Sequence, residues 1–441
     1  MKILIITSCF APKNVIGAVR VSKIAKYLIR EGYDLTIISP VLEEYDLRDI
    51  TLECNEFKET RRITVPYAHL TTKLTKSYKK DNHQKKTGEI RNQVNTSVKA
   101  NIYRLLRNGF ACWRDYEWGR KVQFIIQKDA QKYDIVFSSY PNLAAHNSAL
   151  FAKKIGKAKK WIADFRDPLA LDTIKGRRKK DLSKIQSEIV KNADLTLHVS
   201  KAGTEKFICY PDDRKKVVWV PNGFDEEDFG LMNITSEFMN REEIVFSYAG
   251  GLYGGERDCS PLFKAVRELI DDGKISIEDV KLEYAGSDFS ILTKQAEKFN
   301  VAEIICNKGI ISRTEAIELQ SASDCVVVAT FCYKDNEGAM TGKIYEPIMM
   351  RRPVLLLVNG PGKNSEPGKF VNYLKAGIVY EDSYERGDVT KIKKHILKLR
   401  KEKKNYGGIS SEIDESRRDE FDYKSITRKL IANINRLEMS K

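Results

Sequence analysis

The chain has 441 residues, a formal net charge of +15, and a composition 42% hydrophobic and 31% charged. One core stops growing at roughly 250–300 residues, so this length implies two domains. The composition excludes collagen-like, disordered and disulfide-scaffold classes, and no run of about 18 apolar residues is present to span a membrane.

The segment ILIITS (3–8) is β-branched and runs into a polar, Gly-containing loop and then a helical pattern. That context predicts a first buried strand rather than an export signal, and with it a cytoplasmic location. Helix VSKIAKYLIREG follows, with Ile24, Tyr27 and Leu28 at helical spacing and Gly32 as its stop, then strand DLTIISP (34–40). This is a βαβ unit and implies a parallel sheet. Residues 41–120 are less regular. Segment 56–120 carries fifteen basic and six acidic residues, with 72–101 reading as a loop or insertion. Helices carrying Trp113, Tyr116 and Trp118 come next. Those rings either pack on the sheet or form part of a patch facing anionic lipid. The basic excess is otherwise a solvated face.

The βα series then resumes, with strands at 134–141, 160–166, 194–200 and 216–225. It completes a first doubly wound domain, 1–235, with the insertion 41–120 inside it. Segment 226–242 is acidic and irregular and reads as the interdomain linker. A second series places strands at 244–255, 280–286, 304–309, 324–330 and 353–359 and the short GIVYED. It predicts a second doubly wound domain, 242–415. Residues 416–441 form a terminal helix expected to pack back on the first domain. Eight cysteines without a C-x-x-C pair read as reduced thiols, and the five histidines show no metal-ligand spacing.

Ligands of open α/β sheets bind beyond the strand carboxyl ends, and two such domains facing across a cleft suit a two-substrate reaction. The loop after the first strand has one glycine, Gly17, and lacks G-x-G-x-x-G, which counts against a dehydrogenase. AGGLYGGERD (249–258) leaves a strand with four glycines, Gly250 and Gly251 among them, and Arg257. Backbone there can approach a phosphate and Arg257 can pair with it; the alternative is a flexible turn with a surface arginine. KDNEGAMTGKIYEPIMMRRPV (334–354) sets Glu337, Thr341, Gly342, Lys343 and Glu346 at another strand end. Thr341 and Gly342 open a helix able to hold phosphate, Lys343 neutralises it, and Glu346 accepts from sugar hydroxyls; the alternative is an ordinary capped helix. ADFRDP (163–168) ends a strand with Asp164, Arg166 and Asp167, as a wall of the cleft or a salt-bridged loop.

VPNGFD (220–225), YAGGLYGGERD, GIISRTEAIELQSASDCVVV (309–328) and TGKIYEPIMMRRPVLLL, in this order, resemble the family-4 retaining glycosyltransferases of the GT-B fold. The resemblance spans nearly the whole chain and is weakest over 41–130. It implies an α/β GT-B architecture and transfer of a sugar from a nucleoside-diphosphate sugar to an acceptor hydroxyl. The setting it implies is surface polysaccharide or glycolipid synthesis. By that resemblance Arg257 meets the donor diphosphate, with Lys264 or Lys343 as its partner. Glu346 meets the donor ribose and Glu337 acts near the sugar. Eight residues separate Glu337 and Glu346 where the family has seven. Gly17 approaches the donor, and Asp164, Arg166 and Asp167 fall where acceptor and donor-sugar contacts are made. No metal or cofactor is expected, because the cations would stabilise the leaving diphosphate. The partners implied are the donor, a saccharide or lipid-linked acceptor and an anionic membrane surface touched through 56–120. The rival readings are a sugar-nucleotide 2-epimerase of the same fold and a non-catalytic nucleotide-sugar-binding subunit. The charge alone suggests nucleic acid, but no reading module accompanies it.

Overall fold

The computed structural model describes residues 1–44, 46–67, 98–170, 174–230, 242–335 and 337–439. The chain divides into two compact units, Met1–Val199 with Thr204–Val220 and Ala432–Lys441, and Ser200–Gly203 with Pro221–Ile431. Each is built on a parallel sheet, so the α/β architecture is that of the GT-B fold.

The first unit holds strands β1 (Lys2–Thr7), β2 (Asp34–Pro40), β3 (Arg61–Val65), β4 (Tyr133–Ser139), β5 (Ala158–Phe165), β6 (Leu195–His198) and β7 (Val217–Trp219). They lie in the order β3-β2-β1-β4-β5-β6-β7, every pair parallel. Chain order reverses between β1 and β4, where Ile3 stands opposite Ile135 and Thr7 opposite Ser139. Five of the six residues of β1 are buried, as expected for a strand covered on both faces. Strand β3 was not among the expected strands. It is an edge strand with three charged or hydroxylated residues among its five and only Val65 fully buried, so it carries no apolar run.

The second unit holds β8 (Ile244–Ala249), β9 (Val280–Ala285), β10 (Ile305–Gly309), β11 (Cys325–Phe331), β12 (Val354–Asn359) and β13 (Gly377–Glu381), in the order β10-β9-β8-β11-β12-β13. Its switch point lies between β8 and β11. Strand β12, VLLLVN, is buried at all six positions. Two apolar clusters sandwich the sheet. One is centred on helices Ser260–Asp271 and Thr390–Tyr406, the other on Tyr345, Ile348, Phe370 and Phe421.

Phe224 belongs to the second unit's core, and backbone bonds join it to Phe421 and Tyr423. The division between units therefore falls at Pro221, ahead of the acidic segment. That segment opens with a short helix, Glu226–Gly230, and its remainder to 241 lies outside the described residues, as does most of the expected 72–101 loop. Helix Val98–Lys128 is continuous. It buries Trp118, whose indole N–H donates to the Val65 carbonyl at 3.2 Å, and leaves Trp113 and Tyr116 exposed. The packing reading thus holds for Trp118, while Trp113 and Tyr116 lie at the surface. No described helix is long and apolar enough to cross a membrane.

His146 sits fully buried in the first core beside Phe165 and Trp161, with Nδ1 2.8 Å from the Ser138 hydroxyl. Burial pushes its pKa down from 6.5 to about 3, and Asp164 opposes the shift weakly. Between those values the unfolded chain binds a proton that the folded chain refuses, so stability falls as pH drops from 6.5 toward 3. Denaturant titrations at pH 7 and pH 5 should show the parent losing about 2 kcal/mol more than His146→Gln. Identical losses in both would show that the histidine carries none of the acid sensitivity.

Candidate functional site

The loops expected to hold phosphate leave β8 and β11, the two strands that flank the second unit's switch point. Adjacent strand ends separated by a reversal of chain order open a crevice, because their following helices cross to opposite faces. The β8 loop is shaped by its glycines. Gly250 has φ +144°, and a Cβ there would collide with the Lys343 ammonium. Its N–H donates to the Ala285 carbonyl at 2.7 Å, its carbonyl accepts from the Tyr284 hydroxyl at 3.1 Å, and the Asp288 carboxylate accepts from Leu252 N–H at 2.7 Å. The loop is therefore held at several points, not a loose turn.

Arg257 ends this loop and is only 6% exposed. Its guanidinium lies 4.2 Å from the Tyr253 ring centroid, and Nη1 donates to the Gly251 carbonyl at 3.3 Å. Nε is buried without a hydrogen-bond partner. Among the described residues no carboxylate pairs with it.

Lys343 comes from the other loop. Thr341 caps the turn Gly342–Ile344, its hydroxyl accepting from Lys343 N–H at 3.4 Å. The Lys343 Nζ donates to the Ala249 carbonyl, so the lysine ties the β11 loop to the end of β8. Burial lowers its pKa below the ordinary 10.5; Glu346 opposes this and Arg257 adds to it. Arg257, Lys343, Thr341, Tyr248 and Gln320 line one small cleft. The turn and the helix Tyr345–Met349 that continues it are short. The expected contribution of a helix terminus is accordingly small, and the electrostatics rest on the two side-chain cations.

Glu346 is the second residue of that helix. Its Oε2 accepts from Gln320 Nε2 at 3.1 Å, and Gln320, 2% exposed, also donates to the Ala316 carbonyl at 3.0 Å. Gln320 was not singled out from sequence, although it lies in the quoted GIISRTEAIELQSASDCVVV. The available signal was its helical spacing of three from Ile317, which puts a polar side chain on the inward side of the helix. Tyr253 was likewise missed. Glu337 is half-buried, its carbonyl accepting from Glu366 N–H at 2.8 Å, and it does not line the cleft. Lys264 points elsewhere, donating to the Gly387 carbonyl at 2.5 Å. Of the two lysines, Lys343 is the one beside Arg257.

In the first unit the predicted residues separate by burial. Asp164, at the end of β5, is fully buried. Arg20 Nη2 donates to it at 2.8 Å and Nε at 3.2 Å, and the Ser139 hydroxyl donates at 2.9 Å. Arg20 also donates to the Val220 carbonyl at 3.0 Å. A carboxylate so enclosed fixes helix Ile16–Arg30 to the strand ends and does not form a wall open to ligand. Arg166 is half-buried and does reach the strand-end surface. Its Nε donates to the Tyr140 carbonyl at 3.0 Å, and its guanidinium lies over Gly17, where a Cβ would stand 2.6 Å from Nη1. Asp167 is exposed.

No protein-family model matches this sequence, and no curated protein matches it by sequence. Solved structures do match over the whole chain. Sucrose-phosphate synthase from Thermosynechococcus elongatus aligns with a TM-score of 0.62 at 11% identity, covering 100% of both chains. The catalytic domain of starch synthase IV from Arabidopsis thaliana, bound to ADP and acarbose, aligns at 0.59 with 10% identity and 99% of each chain. The UDP-GlcNAc 2-epimerase of Methanocaldococcus jannaschii aligns at 0.53 with 11% identity and 99% of each. At such identities the likeness is one of fold.

A buried Arg257 and a half-buried Lys343, with no paired carboxylate among the described residues, favour a polyanion. Arg257→Ala and Lys343→Met should each weaken nucleoside-diphosphate binding roughly 10- to 100-fold in calorimetry. An anion beside Lys343 raises its pKa back toward 10.5, so at alkaline pH binding takes up protons. The binding enthalpy should then depend on buffer ionisation in the parent and lose that dependence in Lys343→Met. A buffer-independent enthalpy in the parent would remove Lys343 from the diphosphate site.

Proposed function

We propose that the protein is a retaining glycosyltransferase that moves a sugar from a nucleoside-diphosphate sugar to an acceptor hydroxyl in surface polysaccharide or glycolipid synthesis. The observation that carries this reading is the pairing of Arg257 and Lys343 in one cleft at the second unit's switch point, the first buried, the second half-buried, and neither held in a salt bridge among the described residues. The fold shared with glycosyltransferases supports it. So does the order of the sequence motifs, which is similar to that of the family-4 enzymes.

In this reading the donor diphosphate lies against Arg257 and Lys343, with Gly250 and Gly251 letting the backbone come close. Glu346, oriented by Gln320, accepts from the ribose hydroxyls. Glu337 acts near the transferred sugar, and Gly17 lets the first unit approach the donor. Arg166 and Asp167 serve the acceptor side, while Asp164 positions them. The acceptor hydroxyl attacks the face from which the nucleoside diphosphate leaves, and the leaving phosphate takes the proton. The two cations stabilise the charge that develops on the leaving oxygen. No metal is needed for that step, and the proposal includes none. A cytoplasmic enzyme touching the anionic leaflet completes the proposal, its basic segment 56–120 carrying the exposed Trp113 and Tyr116.

A nucleotide-sugar panel screened by thermal shift, followed by proton NMR of the products, tests the reaction. The expected product keeps the donor's anomeric configuration, and its formation falls at least tenfold in Arg257→Ala. Release of an epimerised sugar without any acceptor would replace the transferase reading with the 2-epimerase one. Binding with no turnover on any acceptor would leave a nucleotide-sugar-binding subunit. Vesicles containing anionic lipid should retain the protein at low salt and release it at high salt; passage through such vesicles unretained at low salt would end the membrane proposal.

A further inference from the structure

A second cavity, of about 280 Å³, opens at the carboxyl ends of β1, β2 and β3 in the first unit. Its volume is close to the lower limit of small-molecule sites, roughly 300 Å³. Two loops build one wall. Lys13 and Arg48 form an isolated antiparallel bridge, Asn14 N–H donates to the Leu47 carbonyl at 2.8 Å, and Asp49 N–H donates to the Pro12 carbonyl at 2.7 Å. The floor is the ring of Phe10, with Arg62 5.3 Å above its centroid and Phe57 packed beside it. Ser39 and Thr64 stand in register on neighbouring strands and so present their hydroxyls on one face.

The lining holds three cations, Lys13, Arg48 and Arg62, and no carboxylate. Two of them are anchored from behind. Lys13 pairs with Asp46 at 3.1 Å, and Arg62 reaches Glu53 at 2.9 and 3.0 Å and the Ala11 carbonyl at 2.6 Å. Arg48 is the surplus charge. Its guanidinium, like the hydroxyls of Ser39 and Thr64, has no hydrogen-bond partner among the described residues. A planar donor and two hydroxyls lining one cavity, none of them with a partner among the described residues, match an oxyanion with several acceptor oxygens.

We propose that this cavity is the acceptor's anion subsite, and that the acceptor is a sugar carrying a phosphoryl or carboxylate group, bound by Arg48, Ser39 and Thr64. The proposal rests on the glycosyltransferase reading for the word acceptor, but the subsite itself is testable without donor or turnover. The full-length protein is titrated calorimetrically with inorganic phosphate, acetate, glucose 6-phosphate, glucuronate and glucose at matched ionic strength. An Arg257→Ala background keeps the donor cleft from contributing. At least one anionic probe should bind tenfold or more tighter than glucose, and that binding should weaken about tenfold when Arg48→Ala is added. The Arg48 side chain is exposed and makes no hydrogen bond among the described residues, so its truncation leaves the backbone bridge to Lys13 in place. The Ser39→Ala, Thr64→Val pair is a second probe of the same site and should also weaken it. A response to the phosphates alone makes the acceptor a sugar phosphate, and a response to acetate and glucuronate alone makes it a uronate. Equal binding of charged and neutral probes, or anion binding that Arg48→Ala leaves unchanged, overturns the subsite. Nucleoside-diphosphate binding that depends on Arg257 would survive that result and keep the donor reading separate.

Discussion

Parallel pairing throughout both sheets governs where everything else can be. A parallel strand must be followed by a crossover, so each strand's carboxyl end releases a loop on the same edge of the sheet. Where chain order reverses, between β1 and β4 and between β8 and β11, two such loops diverge and leave a crevice. The glycine loop and the TGKIYE turn are far apart in sequence, yet they leave neighbouring strands. Lys343 then closes the gap by donating to the last carbonyl of β8.

The second unit uses that crevice to store positive charge. Arg257 is stacked on Tyr253 and Lys343 is pinned to the backbone, and neither is given a carboxylate within salt-bridge reach among the described residues. The first unit handles its charges in the opposite way. Arg20 and Asp164 saturate each other beneath the strand ends, which fixes the opening helix and leaves no net charge behind. Arg166, two residues further along, is held over Gly17 by a backbone carbonyl, and its outer nitrogens have no hydrogen-bond partner among the described residues. One buried pair thus sets the geometry, and the neighbouring cation lies at the strand-end surface without a carboxylate partner among the described residues.

Much of this was legible in the sequence. The apolar runs of β1, β8, β11 and β12 are buried on both faces and read directly as parallel strands. The glycine loop, Arg257 and Lys343 were found because strand ends are where ligands bind and because those residue types suit phosphate. Strand β3 escaped because an edge strand needs no apolar run. For Asp164 the sequence left a cleft wall and a salt bridge both open, because a carboxylate after a strand reads the same whether its partner is a ligand or Arg20, 144 residues away. Gln320 escaped because its role is to orient Glu346, a contact between two helices that no spacing rule encodes.

Periodicity and residue chemistry by themselves determined the α/β class, the two series of strands, the loops at the strand ends and the cationic residues available there. Those properties are local, since they follow from the 2.0 and 3.6 residue repeats and from side-chain charge. Tertiary structure decided which charges are neutralised and which are left for a ligand. It buried Asp164 against Arg20, chose Lys343 over Lys264 as the companion of Arg257, and left Arg48 without a partner among the described residues beside Ser39 and Thr64. Pairing depends on distances of a few ångströms between residues distant in the chain, and only the packed sheet fixes those distances.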